Sequence, residues 1–250
     1  MTWCADFFDN SFAEQYLERP YDDEMKKTVK FLQEKLHLQD NDIIFDQCCG
    51  IGSVSLALAK NNYQTIAVDL IDSYIKRAKG KATKLSKFYA DDAYKFTTNT
   101  LCDAAVNWWT SFGYDQDDSQ NIKMLERIYE SLKPGKYFAL DYMNSYKDLS
   151  YFKGKETTTI KSIRNGYETE WNSKLNQEKS MLIRTWIYTD ESGNKVKKQG
   201  GGARLFTPED FERMLSKCGF INIKFYGSVM GESFNKESPR CIAVAQKENR

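Results

Sequence analysis

Two acids bracket a turn of small residues: Asp46, then Cys48-Cys49-Gly50-Ile51-Gly52, then Asp69. Glycine backbone can approach a ligand closely, and the N–H groups that open a helix point at polar atoms. The apolar run Ile43-Ile44-Phe45 ends at Asp46, as a buried strand should, and Ser53 to Lys60 has the composition of a helix. A second apolar run, Thr65-Ile66-Ala67-Val68, leads to Asp69. Strand, glycine turn, helix, then a strand tipped by an acid make a cradle for a polar ligand, with Asp69 placed to grip a ribose diol. A dinucleotide fingerprint would want a third glycine where Ser55 stands, and it would not need an acid at position 46.

The chain that must position these residues has 250 residues, enough for one large domain or a domain with an insertion. It is 41% hydrophobic, ample for a core, and its net charge of +1 argues against a surface built for a polyanion. No apolar run reaches the roughly 20 residues of a membrane span. Met1-Thr2-Trp3-Cys4-Ala5-Asp6 has neither the basic nor the apolar region of a secretory leader, so the expected location is the cytoplasm. The six cysteines are scattered without a Cys-x-x-Cys and there is one histidine, His37, so no metal site is expected and the thiols are read as reduced and buried. His37 falls near a helix end and is read as a surface residue.

Periodicity places helices over 22–38, 72–87 and 118–132, the last stopped by Lys133-Pro134-Gly135. Further strands are expected at 87–90, 101–107 and 137–141. Ligands bind beyond the C-terminal strand ends of such a sheet. That puts Asn107, Trp108, Trp109, Ser111 and Tyr114 on the rim, with Asp141, Tyr142 and Asn144 beside them. The aromatic faces suit a sulfonium or a cationic amine. From about 150 to 206 polar and apolar residues alternate between turn signals, Asn165-Gly166 and Ser192-Gly193-Asn194, which reads as an antiparallel meander. Trp171, Trp186 and Arg204 are its candidate substrate-lining residues, and Gly200-Gly201-Gly202 reads as a bend or hinge. Thr207-Pro208-Glu209-Asp210 opens a final helix, followed by two closing strands.

Asp46-x-Cys48-Cys49-Gly50-Ile51-Gly52 followed by Val68-Asp69 resembles motif I and the downstream acid of class I S-adenosylmethionine-dependent methyltransferases of the small-molecule type. Cys48 stands for the family's first glycine. Leu132-Lys133-Pro134-Gly135 before an apolar strand is similar to the family as well. The resemblance implies an α/β Rossmann-like three-layer sandwich: a mostly parallel seven-stranded sheet with one antiparallel edge strand, plus the inserted β meander. It implies a helical lid over 1–38, a cofactor-binding core over 39–148 and 207–250, and an insertion over 149–206 covering the substrate pocket. S-adenosyl-L-methionine would be held by Cys48, Gly50, Gly52, Asp69 and Leu70, with adenine at Asp92 and Ala93 (Asp91 as the alternative). Asp46 would position the turn or the methionine amine, and Asn107 would meet cofactor or substrate. Tyr16 and Tyr21 are the lid tyrosines, Tyr16 placed with the cofactor and Tyr21 with the substrate. Transfer of the methyl group to an N, O or S nucleophile of a small molecule is the implied reaction, with Tyr114, Asp141 and Tyr142 as candidate bases. The competing readings are an NAD(P)-dependent Rossmann oxidoreductase and a methyltransferase of this fold acting on protein or RNA. No nucleic acid or membrane partner is expected, and the protein is read as a monomer or homodimer.

Overall fold

The computed structural model describes residues 2–178, 180–190 and 192–249. Its main sheet contains β1 (Ile43–Gln47), β2 (Gln64–Asp69), β3 (Ser86–Ala90), β4 (Cys102–Asn107), β5 (Leu132–Met143), β11 (Phe220–Tyr226) and β12 (Arg240–Lys247). The strand order is β11-β12-β5-β4-β1-β2-β3. β1 to β5 run parallel; β12 is antiparallel to both of its neighbours. The reversed strand therefore lies second from the edge, with β11 outside it. The order switches direction between β1 and β4, which opens a crevice beyond their C-terminal ends.

Period two along each strand sends alternate side chains to opposite faces. Ile44, Ala104 and Val106 face one way, into a cluster with α3 (Asp23–Lys35) and α4 (Ser53–Lys60). Phe45, Ala105, Phe138 and Leu140 face the other way, onto α6 (Asp118–Ser131) and α8 (Pro208–Lys217). Ala67 and Phe88 pack on Ile75 and Ala78 of α5 (Asp72–Gly80). Helices on both faces make this a three-layer α/β sandwich.

α5 is shorter than its periodicity suggests. It ends at Gly80, and the Thr83 hydroxyl then accepts the Leu85 N–H and turns the chain into β3. Lys133-Pro134-Gly135 does not separate helix from strand but lies inside β5. Leu132 pairs with Cys102, and the register then shifts so that Tyr137 pairs with Ala104. Pro134, with no N–H to donate, falls in that irregular stretch, where a ladder bond is not required of it.

A second, antiparallel sheet contains β6 (Thr157–Arg164), β7 (Tyr167–Asn176), β8 (Met181–Thr189), β9 (Lys195–Gln199) and β10 (Ala203–Arg204), β9 and β10 both pairing with β8. Asn165 and Gly166 both take positive φ, as a two-residue hairpin of matched twist demands. One face of this sheet meets the N-terminal segment, formed by α1 (Thr2–Phe7) and α2 (Asn10–Phe12), which runs into a π turn over Ala13–Leu17. Phe7, Phe12 and Tyr16 there pack on Trp171 and Trp186, which are paired across β7 and β8. α7 (Ser145–Ser150) links β5 to this sheet.

α8 carries a full capping box. Thr207 accepts the Asp210 N–H, Asp210 accepts back from Thr207, and Pro208 takes the first turn. Thr207→Ala is expected to cost about 1 kcal/mol of unfolding free energy. Urea denaturation reads this, and an unchanged midpoint would show that the cap carries no stability.

Candidate active site

A cavity of about 280 Å³ opens beyond the C-terminal ends of β1, β2 and β4, under the N-terminal segment. Twelve residues singled out in the sequence line it: Tyr16, Asp46, Cys48, Gly50, Asp69, Leu70, Asp92, Ala93, Trp108, Trp109, Ser111 and Tyr114. The parallel sheet brings them together, since each belongs to a C-terminal strand end, to a loop leaving one, or to the segment folded over them.

Asp69 holds the turn. Its Oδ2 accepts the Gly50 N–H at 2.8 Å and its Oδ1 the Ile71 N–H at 2.9 Å. Gly50 and Gly52 sit at φ +58° and +82°, and a Cβ at Gly52 would meet the Phe88 ring at 2.8 Å. Cys48 takes φ +60°, so the cysteine adopts the left-handed backbone that a glycine would take freely. Asp46, 1% exposed, accepts the Ser55 hydroxyl at 2.6 Å. Ser55, unsuited to a dinucleotide turn, here serves the acid.

Burial pushes the Asp46 carboxyl up to about 7, against the Ser55 hydrogen bond, and the neighbouring Asp69 charge pushes the same way. Burial raises Asp69 too, held back by the N–H groups of Ile71, Gly50 and Leu70. Among the described residues neither acid has an ion-pair partner. Arg19, which the sequence reading passed over, also lines the cavity; its guanidinium lies 4.3 Å above the Trp109 ring and 4.0 Å from the Glu24 carboxylate, and among the described residues its buried Nε has no hydrogen-bond partner. The Tyr94 hydroxyl, likewise in the lining, is buried and has no hydrogen-bond partner among the described residues. The cavity therefore suits a ligand with a cation for the acids, a carboxylate for Arg19 and a flat polar ring near Asp92. Arg19 sits in a charged run, Glu18-Arg19, that carried no motif. Only the fold of the segment brings it to the cavity.

The other predicted residues lie elsewhere. Asp141 and Tyr142, proposed as bases, belong inside β5. Asp141 is ion-paired with Arg240 at 2.7 Å, and the Tyr142 hydroxyl donates to the Arg204 carbonyl oxygen at 2.5 Å. Burial raises the Tyr142 phenol well above its ordinary value, so it keeps its proton. Gly52 lies behind the turn as the residue before α4. Asp91 is exposed, accepting the Asp92 N–H. Asn107 is fully buried, its amide donating to Gln47 at 3.1 Å. Tyr21 accepts from Asn61 at 2.8 Å beside a neighbouring hollow. Asn144 caps α7 and its amide donates to the Ser238 carbonyl. Arg204 holds Asp118 through two bonds, at 2.9 and 3.0 Å.

Trp171 and Trp186 stand one layer back, and among the described residues none of the second sheet lines the cavity. They carry the segment that covers it: the Trp171 Nε1–H donates to the Tyr16 hydroxyl at 2.7 Å. Asn165 donates to the Glu14 carbonyl, Lys198 pairs with Asp9, and Trp3 sits on Gly200 and Gly201, where a Cβ at Gly201 would run into the indole. The glycine run is thus a seat for Trp3.

Comparison with known proteins comes to the same region. Residues 44–135 match the family model of a methyltransferase domain. The chain is 23% identical to YqeM of Bacillus subtilis over 96% of both chains, a protein whose name places it among methyltransferases. Of solved structures, the CcbJ methyltransferase from Streptomyces caelestis aligns with a TM-score of 0.79 at 14% identity, covering 95% of this chain and 96% of that one. CalS10 from Micromonospora echinaspora, an amino pentose methyltransferase with S-adenosylmethionine bound, aligns with a TM-score of 0.69 at 14% identity, covering 96% and 98%.

The raised Asp46 carboxyl has a stability consequence. The native state keeps a proton up to about pH 7 that the unfolded chain releases near 3.8. Its contribution is complete below pH 4 and is lost as pH rises through 7. Asp46→Asn is expected to gain stability over wild type across that window, by a few kcal/mol at pH 8. Parallel urea curves at pH 5 and pH 8 read this, and a difference that does not change with pH would contradict the buried, raised acid.

Proposed function

We propose that this chain, an S-adenosylmethionine-dependent methyltransferase, methylates an amine nitrogen of a small molecule. The observation that carries this reading is a cavity with two acids that have no ion-pair partner among the described residues, beside the glycine turn and an aromatic wall of Trp108, Trp109 and Tyr114. S-adenosylmethionine supplies a methyl group on a sulfonium, together with an ammonium and a carboxylate.

In this reading Asp46 and the backbone at Cys48–Gly50 receive the ammonium, and Arg19 and Tyr16 receive the carboxylate. Asp69 and Leu70 take the ribose, and Asp92 and Ala93 the adenine. Asp69 already accepts two N–H groups, so its remaining lone pairs are what a diol would use. Asp91 and Asn107 support the site from behind.

The acceptor end supports nitrogen over a hydroxyl. The Tyr114 hydroxyl donates to the Thr110 carbonyl at 2.9 Å and burial raises it well above its ordinary value; Ser111 donates to the Trp108 carbonyl. Neither can serve as a base without breaking its own bond. A neutral amine brings its own lone pair, needs no base before transfer, and sheds its proton afterwards to water. Aromatic faces then stabilise the ammonium that forms. The enzyme's work is alignment and exclusion of water. The N-terminal segment supplies the exclusion as a lid, and the second sheet shapes the site by holding that lid. CalS10 is an amino pentose methyltransferase, which accords with a compact amine substrate.

Among the described residues no helix is long and apolar enough to cross a membrane. Free cysteines, three buried and three half-buried, support a reducing cytoplasm, and the balanced charge supports a small molecule over nucleic acid.

Labelled S-adenosylmethionine offered with matched panels of small amines and alcohols is expected to label amines only; labelled ethers as the sole products would overturn the nitrogen reading. Asp69→Ala is expected to weaken S-adenosylhomocysteine binding at least tenfold by calorimetry, and unchanged affinity would remove Asp69 from the ribose. Trp3→Ala should speed S-adenosylhomocysteine release in stopped-flow displacement. An unchanged rate would deny the N-terminal segment a role as lid.

A further inference from the structure

Trp109 and Thr110 both take positive φ, +55° and +64°. Neither is glycine and Thr110 is β-branched, so each is a backbone outlier. Two in succession persist only where surrounding groups hold them. The holding groups come from the ends of β5 and β12. The Trp109 N–H donates to Asp141 Oδ2 at 3.0 Å, and the Thr110 N–H to the Asp141 carbonyl oxygen at 3.0 Å. Arg240 Nε donates to Asp141 Oδ1 at 2.7 Å. Arg240 Nη2 donates to both Asp141 Oδ2 and Thr110 Oγ1 at 2.8 Å. Asp141 is 2% exposed, so its carboxylate is shielded from water, while the Arg240 side chain is 33% exposed.

We propose that Asp141 and Arg240 are positioning residues for methyl transfer, a clamp that forces the Trp109–Thr110 turn and so presents Trp109 to the cavity and to Arg19. The proposal deepens the acceptor-wall reading above and rests on it. Released backbone would leave the left-handed region, and the indole would leave its place under the Arg19 guanidinium. The fork geometry of arginine is what the clamp uses: one guanidinium reaches both carboxylate oxygens and a hydroxyl, which a lysine ammonium cannot do with the same directionality. Asp141 thus acts through Trp109, with no contact to reacting atoms.

The test reads Trp109 itself. Its near-ultraviolet circular dichroism is taken as wild type minus Trp109→Phe. In Arg240→Gln that band is expected to fall by more than half while the far-ultraviolet spectrum is retained, with Tm lower by about 3–6 °C. Arg240→Lys should fall between. Adding Thr110→Gly to Arg240→Gln should restore part of the band, because glycine holds the turn without a clamp. A band unchanged in Arg240→Gln, or no recovery in the double variant, would overturn the proposal. Should Arg240→Gln not fold, Arg240→Lys alone and combined with Thr110→Gly carries the same measurements. Failure of wild type to bind S-adenosylhomocysteine would instead refute the cofactor reading, which the Trp109 band does not depend on.

Discussion

Two carboxylates, one buried and one half-buried and neither with a cation among the described residues, shape this molecule. Asp46 and Asp69 stand at the C-terminal ends of adjacent parallel strands and face one cavity, where the Asp69 charge raises the cost of ionising Asp46. The fold offsets that cost with donors: a serine hydroxyl on Asp46 and two backbone N–H groups on Asp69. These donors also fix the glycine turn between the strands. What they leave unmet is the cost of ionising both acids together, which a cationic ligand would offset. A pocket built this way selects its ligand by sign as much as by shape.

The rest of the architecture follows from closing such a pocket. The N-terminal segment is too short to bury its own aromatics, so it needs a surface to lie on. The second sheet supplies one in Trp171, Trp186 and Tyr188, and fastens it with Asn165, Lys198 and the glycine seat under Trp3. The sheet's influence on the site is therefore indirect. On the opposite side, the turn after β4 is bent against its own preference to complete the wall, with strain and restraint a few ångströms apart.

Much of this is legible in the residues. Apolar runs ending in acids marked β1 and β2, and the two turn signals located the hairpins of the second sheet. Where the reading missed, a long-range contact had won over a local signal. Pro134 looked like a break because the register shift that absorbs it is a property of the paired strand. Asp141 and Tyr142 looked like rim residues because β5 was read as ending before it does; their partners, Arg240 and the Arg204 carbonyl, lie far along the chain. Trp171 and Trp186 were placed in the pocket because period-two alternation tells which residues share a face but not what covers it. Arg19 had no motif at all; its role depends on where a folded segment comes to rest.

The central claim is that Asp46 waits, partly protonated near neutral pH, for a cation. Calorimetric titration with S-adenosylhomocysteine at pH 7, repeated in buffers of different ionisation enthalpy, measures protons exchanged on binding. The ammonium of the ligand should drive Asp46 to its charged form and release about half a proton, since its unliganded carboxyl is pushed up to about 7. The release should vanish in Asp46→Asn. Tight binding with no proton released, or the same release in that variant, would contradict the account.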